Sequence, residues 1–137
     1  MYQRVWFLCP KVALAQQQAR VVQRQLPAAI CKVLVGDDGC EYWSRQSIWD
    51  EVLLNVNVVV CTPEILYDAL MHGFVGMRGI ALLIFDEAHY CKANHPANRI
   101  LTSFYHPARI GGDEVPYILG LTASPVFGNK LSGLEYV

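Results

Sequence analysis

Residues 82–91 read LLIFDEAHYC, and the fold is decided by how that stretch is read. With Ile80 and Ala81 it forms the apolar run IALLIF followed at once by Asp86, Glu87, Ala88 and His89. A short, uninterrupted apolar run fits a strand buried on both faces, as in a parallel sheet. Two adjacent carboxylates directly after such a strand stand at the edge where ligands bind in open α/β sheets.

Working outward, four more apolar runs repeat the arrangement. Val5–Cys9 (VWFLC) predicts a strand, and Leu14, Val21, Val22 and Leu26 then recur at helical spacing until Pro27. Ile30–Val35 predicts a second strand, with a turn at Gly36–Gly39 and a less sharply marked helix around Ser44–Leu54. Asn57–Cys61 predicts a third, leading into a helix that carries Leu66, Ala69, Leu70 and Phe74. In that helix Thr62 is suited to the N-cap, Pro63 to the first turn, and Gly73 to the far end. After the acids come a turn at Asn94–Pro96, a short helix near Asn98–Tyr105, a loop over His106–Pro116 and a fifth strand over Tyr117–Leu121.

Strands alternating with helices imply a parallel sheet with right-handed crossovers, the doubly wound α/β class, as one domain over residues 1–137. A polar cluster follows every predicted strand: Pro10–Lys11, Gly36–Asp37, Thr62–Pro63, Asp86–His89 and Thr122–Ser124. All five would share the carboxyl edge of the sheet.

Composition narrows the field. Hydrophobic residues make up 53% of the chain and charged ones 17%, which suits a sheet covered on both faces and excludes disorder. The net charge of −1 excludes nucleic-acid binding by bulk charge. The distribution is uneven, however: Arg4, Lys11, Arg20, Arg24 and Lys32 precede Gly36 with no acid among them. They read either as solvated helix positions or as a patch facing phosphate. The five cysteines show no C-x-x-C pair, so neither a disulfide framework nor a zinc knuckle is indicated. No apolar run approaches the length of a membrane span or a signal-peptide core, and an intracellular location, cytoplasmic or nuclear, is expected.

Adjacent acids at a strand end suit nucleotide hydrolysis. Asp86 would hold Mg²⁺ through water, and Glu87 would orient or deprotonate the water attacking a γ-phosphate. His89, Thr122 and Ser124 are placed to hydrogen-bond with them. The helix starts at Pro10–Lys11–Val12 and Thr62–Pro63–Glu64 offer backbone N–H groups to phosphates, although either is also an ordinary helix start. A metal site from Asp86, His89, Cys91 and His95 is a separate reading.

These segments occur in a familiar order. FLCPKVALAQQQ (7–18), VVVCTPEIL (58–66), DEAH (86–89) and LGLTASP (119–125) resemble motifs Ia, Ib, II and III of superfamily-2 helicases. LGLTASP, together with the NHP turn at 94–96, is similar to the helicase domain of Dicer-type ribonucleases and the related cytosolic RNA-sensor helicases. ALLIFDEAHYCKANHP looks especially like the Dicer-like proteins of fungi. The resemblance covers nearly the whole chain.

It implies a first RecA-like domain that binds ATP and Mg²⁺ on one side and RNA, expected to be double-stranded, on another. Asp86 would serve the metal, Glu87 the water, and His89 would link the nucleotide site to Thr122 and Ser124. Pro10, Lys11, Gly36, Thr62 and Pro63 would lie along RNA. Lys11 departs from the small hydroxyl residue the family often carries.

The family's phosphate loop, G-x-x-x-x-G-K-[ST], is missing: the chain contains no Gly-Lys dipeptide. The resemblance therefore implies an incomplete three-layer domain without its first strand and phosphate loop. The second RecA-like domain and the ribonuclease domains are likewise not in this chain, and no useful ATPase is expected of it alone. Two other readings are a non-catalytic RNA- or protein-binding module of the same fold and a fragment of a DNA-directed superfamily-2 helicase.

Overall fold

The structure is a computed structural model that describes residues 2–36, 39, 43–88 and 94–122. Five strands form one parallel sheet: β1 (Arg4–Leu8), β2 (Cys31–Leu34), β3 (Val58–Cys61), β4 (Ile80–Phe85) and β5 (Tyr117–Gly120). Their order across the sheet is β2-β3-β1-β4-β5. All five predicted strands are present, each within a residue or two of its expected limits, and the α/β fold class is confirmed.

The order explains how the helices are distributed. From β1 the chain steps to one side to reach β2, and every later strand is reached by stepping back in the opposite direction. Right-handed crossovers therefore put the first helix, α1 (Val12–Gln25), alone on one face. The opposite face receives α2 (Gln46–Val52), α3 (Pro63–Met71) and the helical run of α4 (Pro96–Ile100) and α5 (His106–Ile110).

The packing follows this division. Trp6, Leu8, Val59, Cys61, Leu83 and Phe85 point to the face of α2–α5 and join Trp49, Leu66, Ala69 and Ile100 in the main core. Phe7, Val58 and Val60 point the other way and pack with Ala15 and Ala19 of α1. Two alanines on its inner face let α1 lie close against the sheet. The helix stops at Leu26, which leaves the helical conformation (φ −127, ψ 68) directly before Pro27, where a helical backbone is disfavoured.

Two expectations about helix ends are corrected. Thr62 occupies the N-cap position of α3 but makes no capping side-chain bond; Pro63 at the start of the helix and Gly73 in the left-handed conformation past its end (φ 74) are the operative signals. Residues 106–110, expected as loop, are helical: α4 continues through a π-helical segment, Leu101–Tyr105, into α5. Pro107 accounts for both the expectation and its failure. Its ring and missing N–H are incompatible with an α-helix interior, and wider π-type bonding just before it lets the helix pass. The loop is confined to residues 111–116.

Candidate functional site

The parallel sheet carries the carboxyl ends of all five strands to one edge. Lys11, Gly36, Thr62, Asp86, Glu87 and Thr122 each follow a strand there. His89, Cys91 and Ser124, read as candidates in the sequence, lie outside the described residues.

The acidic turn is fixed from both sides by backbone hydrogen bonds. The Asp86 N–H donates to the carbonyl of Leu8 at 2.8 Å, extending the ladder between β1 and β4. The Ala88 N–H donates to the carbonyl of Leu121 at 2.7 Å, and the Leu121 N–H to the carbonyl of Phe85 at 2.8 Å. Asp86 and Glu87 are thus held between the end of β1 and the end of β5, and Thr122 follows the very residue whose carbonyl receives Ala88. The expected proximity of acids and Thr122 is present at the level of the backbone.

Between these anchors the chain turns sharply. Glu87 has φ of 54°, in the left-handed region that a glutamate enters at a cost of about 1–2 kcal/mol. The Oδ1 atom of Asp86 accepts the Glu87 N–H at 3.0 Å, which satisfies the turn locally. Strain of this kind, held in place by neighbouring bonds, is characteristic of functional turns. Both residues are half-buried.

Sequence reading missed Gln18. Its side-chain amide crosses from α1 to donate to Asp86 Oδ2 at 3.4 Å. The signal available was the run Gln16–Gln17–Gln18, but only the helical phase distinguishes them: Gln16 and Gln17 are exposed, while Gln18 is half-buried.

The carboxyl edge also acts on Cys9, which is fully buried at the end of β1. Burial, with a contribution from the nearby Asp86 charge, pushes its thiol up to about 12. Burial alone raises that of Cys31. Both are neutral thiols at physiological pH.

Three of the residues expected along nucleic acid meet in one cleft. Pro10, Gly36 and Thr62 line a cavity of about 510 Å³, with Trp43, Glu64, Asp68 and Phe74 among its other walls. Lys11 is exposed just beyond it. Pro63 is buried as the opening residue of α3, so its part is to start the helix and not to present a surface. Of the five early basic residues, Arg4 is at the wrong end: it begins β1, and its guanidinium donates to the carbonyl of Leu53 at 2.7 and 3.2 Å. A larger cavity of about 650 Å³ also lies at that amino edge, lined by Arg4, Trp6 and Asp113. Neither cavity includes Asp86 or Glu87 in its lining.

The separate metal reading includes His89 and Cys91, which lie outside the described residues. Among the described residues no group of three or more His, Cys, Asp and Glu gathers as for a protein-only metal site. His95 caps α4, its Nδ1 accepting the Ala97 N–H at 3.2 Å. A single strand-end carboxylate with room beside it fits Mg²⁺, which keeps several waters and shares its coordination with phosphate oxygens. No described helix is long and apolar enough to cross a membrane.

Comparison with known proteins agrees with this geometry. Residues 2–127 match the DEAD/DEAH box helicase family. The chain is 51% identical over 132 residues to Dicer-like protein 2 of Neurospora crassa, covering 96% of this chain and 9% of that protein. It is 52% identical over 135 residues to Dicer-like protein 2 of Aspergillus terreus, covering 97% and 10%. The chain thus spans about a tenth of the length of these relatives. The helicase domain of Pyrococcus furiosus Hef superposes with a TM-score of 0.71 at 26% identity, over 97% of this chain and 27% of that one. With the acidic turn, the strand order and the match over residues 2–127 in agreement, this chain belongs to the DEAD/DEAH box helicase family.

Proposed function

We propose that the chain is part of the ATP-binding, first RecA-like domain of a Dicer-like RNA helicase, acting in RNA interference beside a second RecA-like domain and ribonuclease domains. The observation that carries the reading is the acidic turn: Asp86 and Glu87 are fixed between β1 and β5, with Glu87 in a strained conformation. Asp86 would hold Mg²⁺, and Glu87 would orient the attacking water and take its proton at the carboxylate. Mg²⁺ bound with ATP supplies charge neutralisation at the phosphates. His89, Thr122 and Ser124 relay the state of this site along the edge. Pro10, Lys11, Gly36 and Thr62 face the sugar-phosphate chain of RNA, with Pro63 setting the start of α3.

Phosphoryl transfer depends on positioning and electrostatic clamping, and the sequence has no Gly-Lys dipeptide to form the clamp. By itself the chain is therefore a poor ATPase. The test joins a segment containing G-x-x-x-x-G-K-[ST] ahead of residue 1 and measures ATP hydrolysis. Activity is expected in the joined protein, with a loss of at least about 100-fold in Glu87→Gln and Asp86→Asn, the range for removing one catalytic group. A joined protein whose hydrolysis is indifferent to Glu87→Gln sinks the assignment.

A second reading draws on the cleft, which is lined by Pro10, Gly36 and Thr62 with no phosphate loop present. In it the chain is an RNA-binding module without catalysis. RNA binding by the chain without nucleotide, weakening steeply with salt and resisting competition by DNA, supports this reading.

A further inference from the structure

Asp86 has two carboxylate oxygens, and the structure gives each a different donor. Oδ1 is occupied within the turn by the Glu87 N–H at 3.0 Å. Oδ2 takes the Gln18 amide at 3.4 Å, across 68 residues of sequence. At this position on α1 the neighbouring inward residues are apolar: Leu14, Ala15, Ala19 and Val22 all pack in the core beneath the helix. An aliphatic residue at 18 would continue that surface, so packing gives no reason for an amide there. Its one distinguishing contact is with the acid.

We propose that Gln18 is a positioning residue: it orients the Asp86 carboxylate and ties it mechanically to α1. That helix starts directly after Pro10 and Lys11, and Gln18 lies seven residues beyond Lys11, about two turns along the axis. At 3.4 Å the contact is longer than the usual range of roughly 2.7–3.2 Å for N–H···O, so a displacement of α1 by a few tenths of an ångström tightens it into a full hydrogen bond or loses it. Nucleic acid engaging the start of α1 and metal engaging Asp86 are then coupled through one rigid helix. The inference rests on the roles proposed above for Asp86 and Lys11.

The experiment uses the 137-residue chain, Mn²⁺ followed by water-proton relaxation in place of Mg²⁺, and a 20-base-pair RNA duplex. Asp86→Asn is expected to weaken Mn²⁺ binding at least tenfold. Gln18→Leu, which removes the donor but keeps the bulk, is expected to weaken it about tenfold, the lower range for losing a group that orients a metal ligand. The duplex is expected to change Mn²⁺ affinity about fivefold or more in the wild type and to leave it unchanged in Gln18→Leu. Thermal unfolding checks each variant, and Gln18→Met replaces Gln18→Leu if the latter does not fold.

An Asp86-dependent Mn²⁺ site that is indifferent to Gln18→Leu overturns the positioning role while leaving the metal assignment standing. No Asp86-dependent Mn²⁺ site overturns both. A duplex that fails to bind, or that shifts Mn²⁺ affinity equally with and without Gln18, overturns the coupling.

Discussion

The two halves of the sheet are built differently. On the β2-β3-β1 side both faces are covered, with α1 lying over Val58, Val60 and Phe7 and the other helices over Val59, Cys61 and Trp6. On the β4–β5 side only one face is fully covered. Register places Leu82 beside Tyr117 and Ile84 beside Leu119 on the α1 face, where Ile84 touches the edge of the α1 cluster and is covered only in part. Those residues are half-buried or, for Tyr117, 84% exposed. Beyond them β5 is the edge strand of the sheet. Parallel sheets are ordinarily covered on both faces, and among the described residues this half has apolar surface and a strand edge that no described element covers. It is also the half that bears Asp86 and Glu87. The contrast teaches that the acids are attached to the half of the sheet that the described residues cover less completely.

The largest expected effect tests the two faces of a single strand. Leu83 is fully buried in the main core, while its neighbour Ile84 faces the α1 side and is only partly buried. Leu83→Ala should cost about 3 kcal/mol, within the range for a large-to-small change in a tight core, and Ile84→Ala about 1 kcal/mol or less. Urea unfolding of the two variants reads the difference; equal losses would mean that both faces of β4 are packed alike.

The next effect belongs to the covered half. The Cys9 thiol is raised by burial and by Asp86 to about 12, so the folded state favours the neutral thiol more than the unfolded state does. The sign follows: this stabilisation is complete at pH below the ordinary thiol value near 9.0 and is lost as pH rises from there towards about 12. Stability measured across that interval should fall less steeply in Cys9→Ala. Correspondingly, at pH 8 an alkylating reagent should modify Cys9 only on unfolding, as peptide mass mapping would reveal.

The smallest effect lies on the open face. Tyr117→Lys should change unfolding free energy by no more than about 0.5 kcal/mol, because the ring is already exposed. A charge beside the edge strand should nevertheless reduce association between copies in sedimentation runs. A large loss of stability instead would show that the face is covered in solution.

Much of this was legible in the sequence because the governing periods are short. The limits of β4, Ile80–Phe85, follow from an unbroken apolar run, and the ends of α1 and α3 from Pro27, Pro63 and Gly73. The continued helix at 106–110 was not legible, because the same Pro107 that argues for a break is tolerated once π-helical bonding precedes it. Nor was the phosphate-facing patch: Arg4 shares a stretch with Lys11, yet a strand of five residues carries the two to opposite edges of the sheet.

What the sequence by itself determined is the βα alternation, the carboxyl-edge position of Asp86 and Glu87, and the helicase family. Each of these depends on residue type and on spacing along the chain, which local conformational preference converts directly into structure. What only the tertiary structure decided is which residues meet. The order β2-β3-β1-β4-β5 places the end of β1 on one side of the acidic turn and the end of β5 on the other, and the phase of α1 selects Gln18 from three adjacent glutamines to reach Asp86. Among the described residues, the same order leaves half of one face only partly covered. Strand order is set by long-range packing and crossover handedness, and neither is written in any local stretch of the chain.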